Sequence, residues 1–433
     1  MRRFAALLLA ASPALAEVPA PVTDADYGAL NMAEVRLGQL LFYDPILSGN
    51  RNVSCATCHH PRFGTSDGLS LGLGEGGIGL GPDRHIGTEN IPELRIPRNS
   101  PALFNLGAAE FTRLFHDGRI EADPARPAGI RTPMDDEMVT GFASVLSAQT
   151  MFPVLSADEM AGHYSENDVS KAVRSGRITG PGGAWDIIAA RVAAIPEYRA
   201  QFGSVSAEIA AGRAIAFTDI SNAIAAFVAY EWRSDTSPFD AFLRGAALAP
   251  EAAAGLRLFY GEAGCANCHS GPFQTDQSFH ATAEAQLGPG KAERFESHSR
   301  DEGRFRVTGR PEDLFAFRTP SLRNVAVTGP WGHAGAHLTL SDFLASHGQP
   351  AALASYRRTV LLPDLPDTKP DWAILDNPEE TAAIAAAAAP LRPLSAEETG
   401  SILAFLDSLT DPTALGGRLG IPGSVPSGLP VER

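Results

Sequence analysis

The pattern Cys-x-x-Cys-His occurs twice in this 433-residue chain and uses all four of its cysteines. The two copies are Cys55-Ala-Thr-Cys58-His59 and Cys265-Ala-Asn-Cys268-His269. Two disulfides, a zinc site or a thioredoxin-like redox pair would also use such cysteines, but none of them needs a histidine after both pairs. Covalent haem does need it, because the thiols form thioethers and the next histidine binds the iron. The sequence therefore predicts two haem c groups.

The first 16 residues have the pattern of a cleaved signal peptide. Arg2 and Arg3 give a positive start, residues 4–11 form a short apolar run, and Ala14-Leu15-Ala16 is a small-residue cleavage site. A buried N-terminal helix is the alternative interpretation. The apolar run is too short to cross a bilayer and no later segment is long enough, so we expect no membrane span. We expect the mature chain to be soluble and periplasmic.

The surroundings of the first motif recur around the second. Leu41-Phe42-Tyr43 precedes the first motif and Leu258-Phe259-Tyr260 precedes the second. Such self-similarity indicates a duplicated domain in which a helix leads into the haem turn. Strand-like alternation is rare, and 42 glycines and 33 prolines favour long loops. The predicted fold is mainly α, with two cytochrome c-like haem domains in tandem, long loops and little strand.

Four segments follow from this organisation. They are the signal peptide (1–16), a first haem domain (17–234), a second haem domain (235–411) and an extended tail (412–433) that is either packed on the surface or frayed. The first boundary comes after a long apolar helix predicted at about 214–232. The last helix is predicted to begin at Ser395, because Ser-x-x-Glu is a capping box.

The sixth ligand of each iron is constrained by where methionine and histidine occur, since these are the usual ligands. None of the six methionines follows residue 160, so the second haem is either bis-histidine or open. In the first half, His85 lies in a glycine-rich loop and is a candidate distal ligand. A surface role is the ordinary alternative for a lone histidine. The second-half candidates are His280, His298, His333, His337 and His347.

Several longer phrases accompany the haem motifs. They are Asp44-Pro-Ile-Leu-Ser-Gly-Asn50, Arg98-Asn-Ser-Pro-Ala-Leu-Phe-Asn105, Asp117-Gly-Arg119 and Thr319-Pro-Ser-Leu-Arg-Asn-Val325. With these phrases the chain resembles the bacterial di-haem cytochrome c peroxidase and MauG superfamily over nearly all of its mature length.

The resemblance implies that the first haem is the peroxide site. It also implies that Gln149, Pro153 and Glu159 line the distal side of that haem. Heterolysis of H₂O₂ moves a proton from one oxygen to the other, so a carboxylate poised there would be the general acid–base. Without the resemblance, Glu159 would read as one exposed acid in the run Ser-Ala-Asp-Glu.

A calcium ion between the haems is a further implication of the resemblance. The Asn99 side chain and the backbone carbonyls of Thr328 and Pro330 occupy the matching positions. Oxygen ligands with waters suit the hard, high-coordination preference of calcium. The alternative is that Asn99 only caps a turn before Pro101.

Two positions depart from the family pattern. Where the family usually has a tryptophan between the haems, this chain has His116, and imidazole is much harder to oxidise than indole. Hole transfer through this residue is therefore doubtful, although direct tunnelling stays open. Where the peroxidases place methionine as sixth ligand of the second haem, and MauG a tyrosine, this chain has His347. A bis-histidine haem generally has a lower potential than a histidine–methionine haem.

These features favour an enzyme that reduces H₂O₂ to water at the first haem. Electrons would enter through the second haem from a small cytochrome c or cupredoxin. One alternative is a MauG-like enzyme that oxidises side chains of a partner protein; another is a non-enzymatic di-haem electron-transfer protein. The net charge of −15 argues against nucleic acid and favours partners with cationic or neutral surfaces. A homodimer is compatible with the sequence.

Overall fold

The computed structural model describes residues 17–291, 296, 298–366 and 371–433. The predicted signal peptide and its cleavage site lie outside these residues. The described chain is mainly helical, as the sequence predicted. The helices are α1 Met32–Tyr43, α2 Cys55–Cys58, α3 Val145–Gln149, α4 Asp168–Arg174, α5 Ala184–Ala194, α6 Pro196–Val205, α7 Ala207–Ala210, α8 Phe217–Glu231, α9 Pro238–Leu243, α10 Pro250–Phe259, α11 Phe305–Thr308, α12 Leu340–Ser346, α13 Pro378–Ala387, α14 Ala396–Asp407 and α15 Pro412–Gly416.

Strands are few and very short. They form a two-stranded sheet (β1–β2), a three-stranded sheet (β3–β4–β5) and a second two-stranded sheet (β6–β7), all antiparallel. The strands are β1 Gly77–Ile78, β2 His85–Ile86, β3 Arg113–Leu114, β4 Ile120–Ala122, β5 Ile130–Arg131, β6 Phe279–His280 and β7 Phe317–Arg318. Sheets this small fasten loops and do not form a separate layer.

Two crossed helix pairs organise the fold in the same way. In the first pair, α1 packs on α8, and Gly38 lies against the backbone of Ala223. In the second pair, α10 packs on α14, and Gly255 lies against the backbone of Ser401. A methyl group added at either glycine would meet a carbonyl oxygen at 1.8 Å, well inside contact distance. Glycine at these two positions therefore lets the paired helices approach closely.

Local signals explain where the helices of these pairs begin. The side chain of Asn31 accepts a hydrogen bond from Ala33 N at the start of α1. Pro250 occupies the first position of α10, where its missing N–H is not needed. The Ser395 and Glu398 capping box opens α14, as predicted from the sequence.

Each helix pair carries its own apolar core. Phe42 and Phe227 meet in the first core, at 5.4 Å between ring centroids, and Phe259 and Phe405 meet in the second, at 5.0 Å. A third cluster includes Leu71, from the glycine-rich loop of the first half, and joins it to second-half residues. Within the described residues, no helix is both long and apolar enough to cross a membrane.

The tail departs from its predicted extended form. It begins with α15, so α14 is not the last helix, because Pro412 fits a first helical turn and Asp411 caps it. The following residues pack against the first core, and Ser427 donates a hydrogen bond to Asp44 at 2.6 Å. Near the end of the chain, the Glu432 carboxylate accepts a hydrogen bond from Thr57, inside the first haem motif. The C-terminal segment therefore completes the first half of the fold.

Candidate haem and peroxide site

The first haem motif forms the short helix α2, which is opened by a capping box at Ser54. His59 follows at the end of this helix, and its Nδ1 lies 3.0 Å from the carbonyl oxygen of Thr65. A carbonyl can only accept, so Nδ1 carries the proton and Nε2 is left free to bind iron. Thr65 has a positive φ of 62°, which turns its carbonyl back toward the imidazole.

The second motif repeats this arrangement. Cys265–Asn267 forms a single 3₁₀ turn, and His269 Nδ1 lies 3.1 Å from the carbonyl oxygen of Gln274. Gln274 also has a positive φ, of 49°. Both histidines are thus held in the tautomer that suits an iron ligand.

The four cysteines are unpaired, which excludes the disulfide interpretation for this structure. Burial raises the pKa of the Cys55 and Cys58 thiols to about 12 and that of Cys265 to about 11. Thiols that act in redox reactions or bind zinc have a depressed pKa and thiolate character. The surroundings of these cysteines instead suit neutral sulfur, which is what a thioether provides.

A cavity opens beside the first motif, and the empty space in and in front of it, open solvent included, is about 1320 Å³. Cys55, Cys58 and His59 line it, so its donor set and position fit a covalently attached haem. The cavity also gathers residues that the sequence predicted for separate roles. These are Gln149, Pro153 and Glu159 (distal), His116 (inter-haem) and Asn99 (calcium).

The three distal residues come from consecutive short elements. Gln149 ends α3, and its Oε1 is buried without a hydrogen-bond partner among the described residues. Pro153 begins a 3₁₀ turn. Glu159 lies in a single π-helical turn, Ala157–Ala161, whose start is capped by Ser156. Such turns often occur at functional sites because they re-aim a side chain.

The charge of Glu159 depends on opposing influences. Burial raises the pKa of this carboxyl, Lys291 and Arg119 lower it, and Asp158 raises it. Lys291 and Arg119 line the same cavity. Sequence reasoning did not identify Lys291, because it lies in the other half of the chain from the first haem motif and belongs to no recognisable pattern.

His85, which the sequence offers as a possible haem ligand, lies away from the first cavity. It is exposed in β2, its Nδ1 contacts Asp83 O at 3.0 Å, and it does not line the cavity. The β1–β2 sheet holds this part of the glycine-rich loop at the surface. Although His85 is close to the first haem motif in sequence, it is not among the residues that line the cavity.

At the second motif, His347 faces His269. The two ring centroids are 6.3 Å apart, and His347 lies at the C-terminal end of α12. Two metal–nitrogen bonds of about 2.0–2.1 Å and half a ring on each side give about this separation. The pair therefore fits an iron between the imidazoles. The His347 Nδ1 is buried and has no hydrogen-bond partner among the described residues.

Three other second-half histidines are engaged elsewhere. His280 pairs with Asp276 at 2.8 Å. His333 contacts Glu284 at 3.0 Å and stacks on Phe317. His337 contacts the hydroxyl group of Ser346 at 3.2 Å. The sulfur of Cys268 lies near Asp276 and His280, but its place in the haem motif accounts for it.

One wall of the first cavity contains paired polar groups from both halves of the chain. Arg98 binds Asp301 through two nitrogens, at 2.6 and 2.8 Å, and Asp117 through a third, at 2.7 Å. The backbone oxygen of His116 accepts a hydrogen bond from Arg318 N at 2.7 Å. Burial and nearby positive groups lower the pKa of His116 to about 3, so its ring is neutral.

One of the three predicted calcium residues, Asn99, lines the first cavity, and a backbone hydrogen bond links it to the segment that follows the other two, Thr328 and Pro330. Asn99 N donates to His333 O at 2.8 Å, which ties Asn99 to the segment just after Pro330. The Asn99 Nδ2 donates to Leu69 O at 2.8 Å, which leaves Oδ1 as the acceptor end of the amide. Among the described residues, no hydrogen bond reaches the carbonyls of Thr328 and Pro330. Free oxygens of this kind suit a hard cation.

Comparison with known proteins agrees with this geometry. The family model of the di-haem cytochrome c peroxidases matches residues 32–247. The methylamine utilization protein MauG of Methylorubrum extorquens is 30% identical over 332 residues, which are 76% of this chain and 72% of that protein. Cytochrome c551 peroxidase of Pseudomonas aeruginosa is 29% identical over 342 residues, which are 78% of each chain.

Solved structures share the architecture. A MauG-like protein associated with microbial copper homeostasis gives a TM-score of 0.55 at 25% identity and covers 92% of this chain and 95% of that one. The di-haem peroxidase BthA of Burkholderia thailandensis gives 0.56 at 20% identity, covering 98% and 97%, and so supports the fold alone. Because two haem motifs with matched histidine geometry occur in a chain with these relatives, the protein belongs to the di-haem cytochrome c peroxidase and MauG family of oxidoreductases.

Proposed function

We propose that this protein is a periplasmic peroxidase that reduces H₂O₂ to water at its first haem. The observation that carries the proposal is the shared cavity in which Glu159, Gln149 and Pro153 lie with the ligand His59. The overall reaction consumes one H₂O₂, two electrons and two protons and yields two waters. We also propose that the two helix pairs define tandem haem domains, with a boundary near residue 234.

The haem, when bound, would supply the iron centre to which peroxide binds and from which it takes electrons. The Glu159 carboxylate accepts the first proton of the peroxide and returns it to the departing oxygen, which leaves as water. Gln149 offers an unpartnered buried amide oxygen to orient the peroxide by hydrogen bonding. Pro153 presents no N–H and narrows the cavity beside these polar groups.

The second site would deliver the electrons. His269 and His347 together provide a bis-histidine set, which holds a haem at lower potential than a histidine–methionine set. A small redox protein, a cytochrome c or a cupredoxin, is the proposed donor. His116 would serve this transfer as part of the wall and not as an oxidised relay, since its neutral imidazole is hard to oxidise.

A second candidate function is oxidation of side chains on a partner protein. The feature that favours it is the absence of any methionine after residue 160, which separates this chain from the peroxidase pattern. The similarity to MauG points the same way. A non-enzymatic electron carrier is the least favoured, because a carrier has no need of a carboxylate and an amide above its haem.

We expect the first reaction with peroxide to separate these functions. In stopped-flow spectroscopy, a reduction-activated peroxidase would react rapidly with H₂O₂ only after one-electron reduction. A MauG-like enzyme would react rapidly in its fully oxidised form. A protein in which both haems remain low-spin and unreactive in either state would be an electron carrier, and the peroxidase proposal would fail.

Calcium binding at Asn99, Thr328 and Pro330 is a further part of the proposal. It is supported by the free amide oxygen and carbonyls described above and by the contact of Asn99 with the cavity wall. Because Asn99 also lines the first cavity, loss of the ion would loosen the link between the two sites. Calcium would therefore act through structure and not as a reactant.

We expect chelation with EGTA, followed by desalting, to release about one calcium per chain, as measured by elemental analysis. Asn99→Ala should weaken calcium binding by roughly 10-fold or more, because a ligand is lost. Asn90→Ala, which removes an asparagine outside the cavity, is the matched control. Full retention of calcium by Asn99→Ala would remove this residue from the site.

A further inference from the structure

Lysine is almost absent from this protein. Only three of its 35 basic residues are lysine, and the other 32 are arginine. Lys171 is exposed on α4. Lys291, by contrast, lines the first haem cavity together with Glu159. A half-buried lysine is a compact charge whose ionisation responds to its neighbours, so the presence of Lys291 in the cavity of the proposed reaction site needs a physical reason.

The other two cavity cations are already committed to carboxylates. Arg98 is shared between Asp117 and Asp301. Arg119 also binds Asp117, at 3.0 Å, and stacks on the Phe115 ring at 3.5 Å. These contacts saturate both aspartates. Both arginines therefore already have carboxylate partners.

Glu159 and Lys291 are the pair that remains. Among the described residues, the Glu159 carboxylate accepts no hydrogen bond, and Lys291 has no ion pair within 4.0 Å. The remaining cavity carboxyl, Asp67, already accepts a hydrogen bond from Leu69 N at 3.0 Å. Two uncommitted groups of opposite charge thus line one shielded cavity, where their attraction is stronger than in water.

The chemistry needs such a partner for Glu159. Burial by itself raises the pKa of the carboxyl, which favours its protonated form, and a protonated acid cannot accept the first peroxide proton. Lys291 and Arg119 lower the pKa of Glu159, whereas Asp158 raises it. The interaction also acts on Lys291. The Glu159 carboxylate raises the pKa of the Lys291 ammonium, whereas burial, Arg119 and Arg98 lower it.

We infer that Lys291 is a positioning residue for the peroxide reaction: its ammonium faces the Glu159 carboxylate across the first haem cavity and keeps it ionised. This inference rests on the proposed function, because Glu159 is the proposed acid–base. It adds to the distal set a residue supplied by the second half of the chain. The two halves of the fold would then share one reaction site.

The test titrates Glu159 directly in the ferric holoprotein. Infrared difference spectra against pH follow the protonated-carboxyl band, and the band that disappears in Glu159→Gln is that of Glu159. In Lys291→Met, we expect the midpoint of the Glu159 band to move upward by about one pH unit or more. At a fixed pH, this shift changes the ratio of protonated to ionised Glu159 about tenfold. The acidic limb of the peroxide reaction rate should move upward by the same amount. Lys291→Arg should restore both values, and Lys171→Met is the matched control.

Each outcome decides the matter. An unmoved Glu159 midpoint in Lys291→Met overturns the inference, including the case in which the ammonium instead binds a haem propionate and only the haem spectrum changes. If Lys291→Met does not fold, Lys291→Arg and Lys291→Gln still differ in charge at similar size and must differ in the same midpoint. A shifted midpoint in a protein that does not react with peroxide would support the Glu159–Lys291 pair and refute the proposed function.

Discussion

Replacing Glu159 by glutamine is expected to slow the reaction of the protein with H₂O₂ by roughly 10²–10⁴-fold, the range that a positioned acid–base contributes. Glutamine keeps the size and hydrogen-bonding reach of the side chain but can neither take up nor return a proton. The cavity and the His59 geometry should be preserved, since Glu159 makes no side-chain hydrogen bond among the described residues. The loss would therefore be one of chemistry and not of folding.

The measurement is the second-order rate constant from stopped-flow mixing with peroxide, taken on the redox state that reacts in the unsubstituted protein. The control is Glu137→Gln, because Glu137 is an exposed carboxylate outside the cavity. The haem content and ferric spectrum should be unchanged in both variants. A Glu159→Gln protein that reacts at the unsubstituted rate would exclude the acid–base role and leave the cavity without a catalytic carboxylate.

Local signals were enough to predict much of the helical framework. The capping box at Ser395 specifies a helix start through groups within one turn, and this prediction is confirmed. Pro250 begins α10 through a local signal of the same kind. The repeated Leu-Phe-Tyr segments likewise fall at the ends of α1 and α10, the helices that lead into the two haem motifs. Information of this kind is contained in short windows of sequence.

Contacts between distant segments were beyond such reasoning. The many prolines and glycines of the tail predict an extended segment. Its position in the fold depends on packing against a core some 380 residues earlier in the chain, as in the hydrogen bond from Gln39 to Gly420. The position of His85 also depends on a contact that the sequence does not show. A loop can bring a histidine over a haem or hold it at the surface, and only the strand pairing of that loop distinguishes the two outcomes.

The candidate site was predicted in part. The haem-attachment residues follow from the motifs themselves, whereas Gln149, Pro153 and Glu159 depended on resemblance to a family, since three polar or turn-forming residues at this spacing have no signal of their own. The structure brings all three to one cavity. Lys291 had no such signal, and what identifies it is spatial, because it lines the same cavity as Glu159 and neither side chain has an ion pair among the described residues.

The second expected result with a large effect concerns the other haem. His347→Ala should convert the second haem from low-spin to high-spin, because removal of one imidazole leaves the iron with His269 alone. Absorption and electron paramagnetic resonance spectra of the ferric protein would report the change, while the signal of the first haem stays as it was. His337→Ala is the matched control, since His337 also contacts Phe343, in α12, but does not face His269.

A second variant, His347→Met, tests the same ligand assignment by replacing the imidazole with another ligand. His347→Met should keep the second haem six-coordinate and low-spin, but its reduction potential should rise, because a thioether stabilises the reduced iron more than an imidazole does. If the low potential is what distinguishes this protein from a reduction-activated peroxidase, this single change should also move its peroxide reactivity toward dependence on prior reduction. An unaltered spectrum in His347→Ala and an unaltered potential in His347→Met would together exclude His347 as a ligand. The second haem would then either have an open sixth position or take a ligand from outside the pair of imidazoles that the fold places 6.3 Å apart.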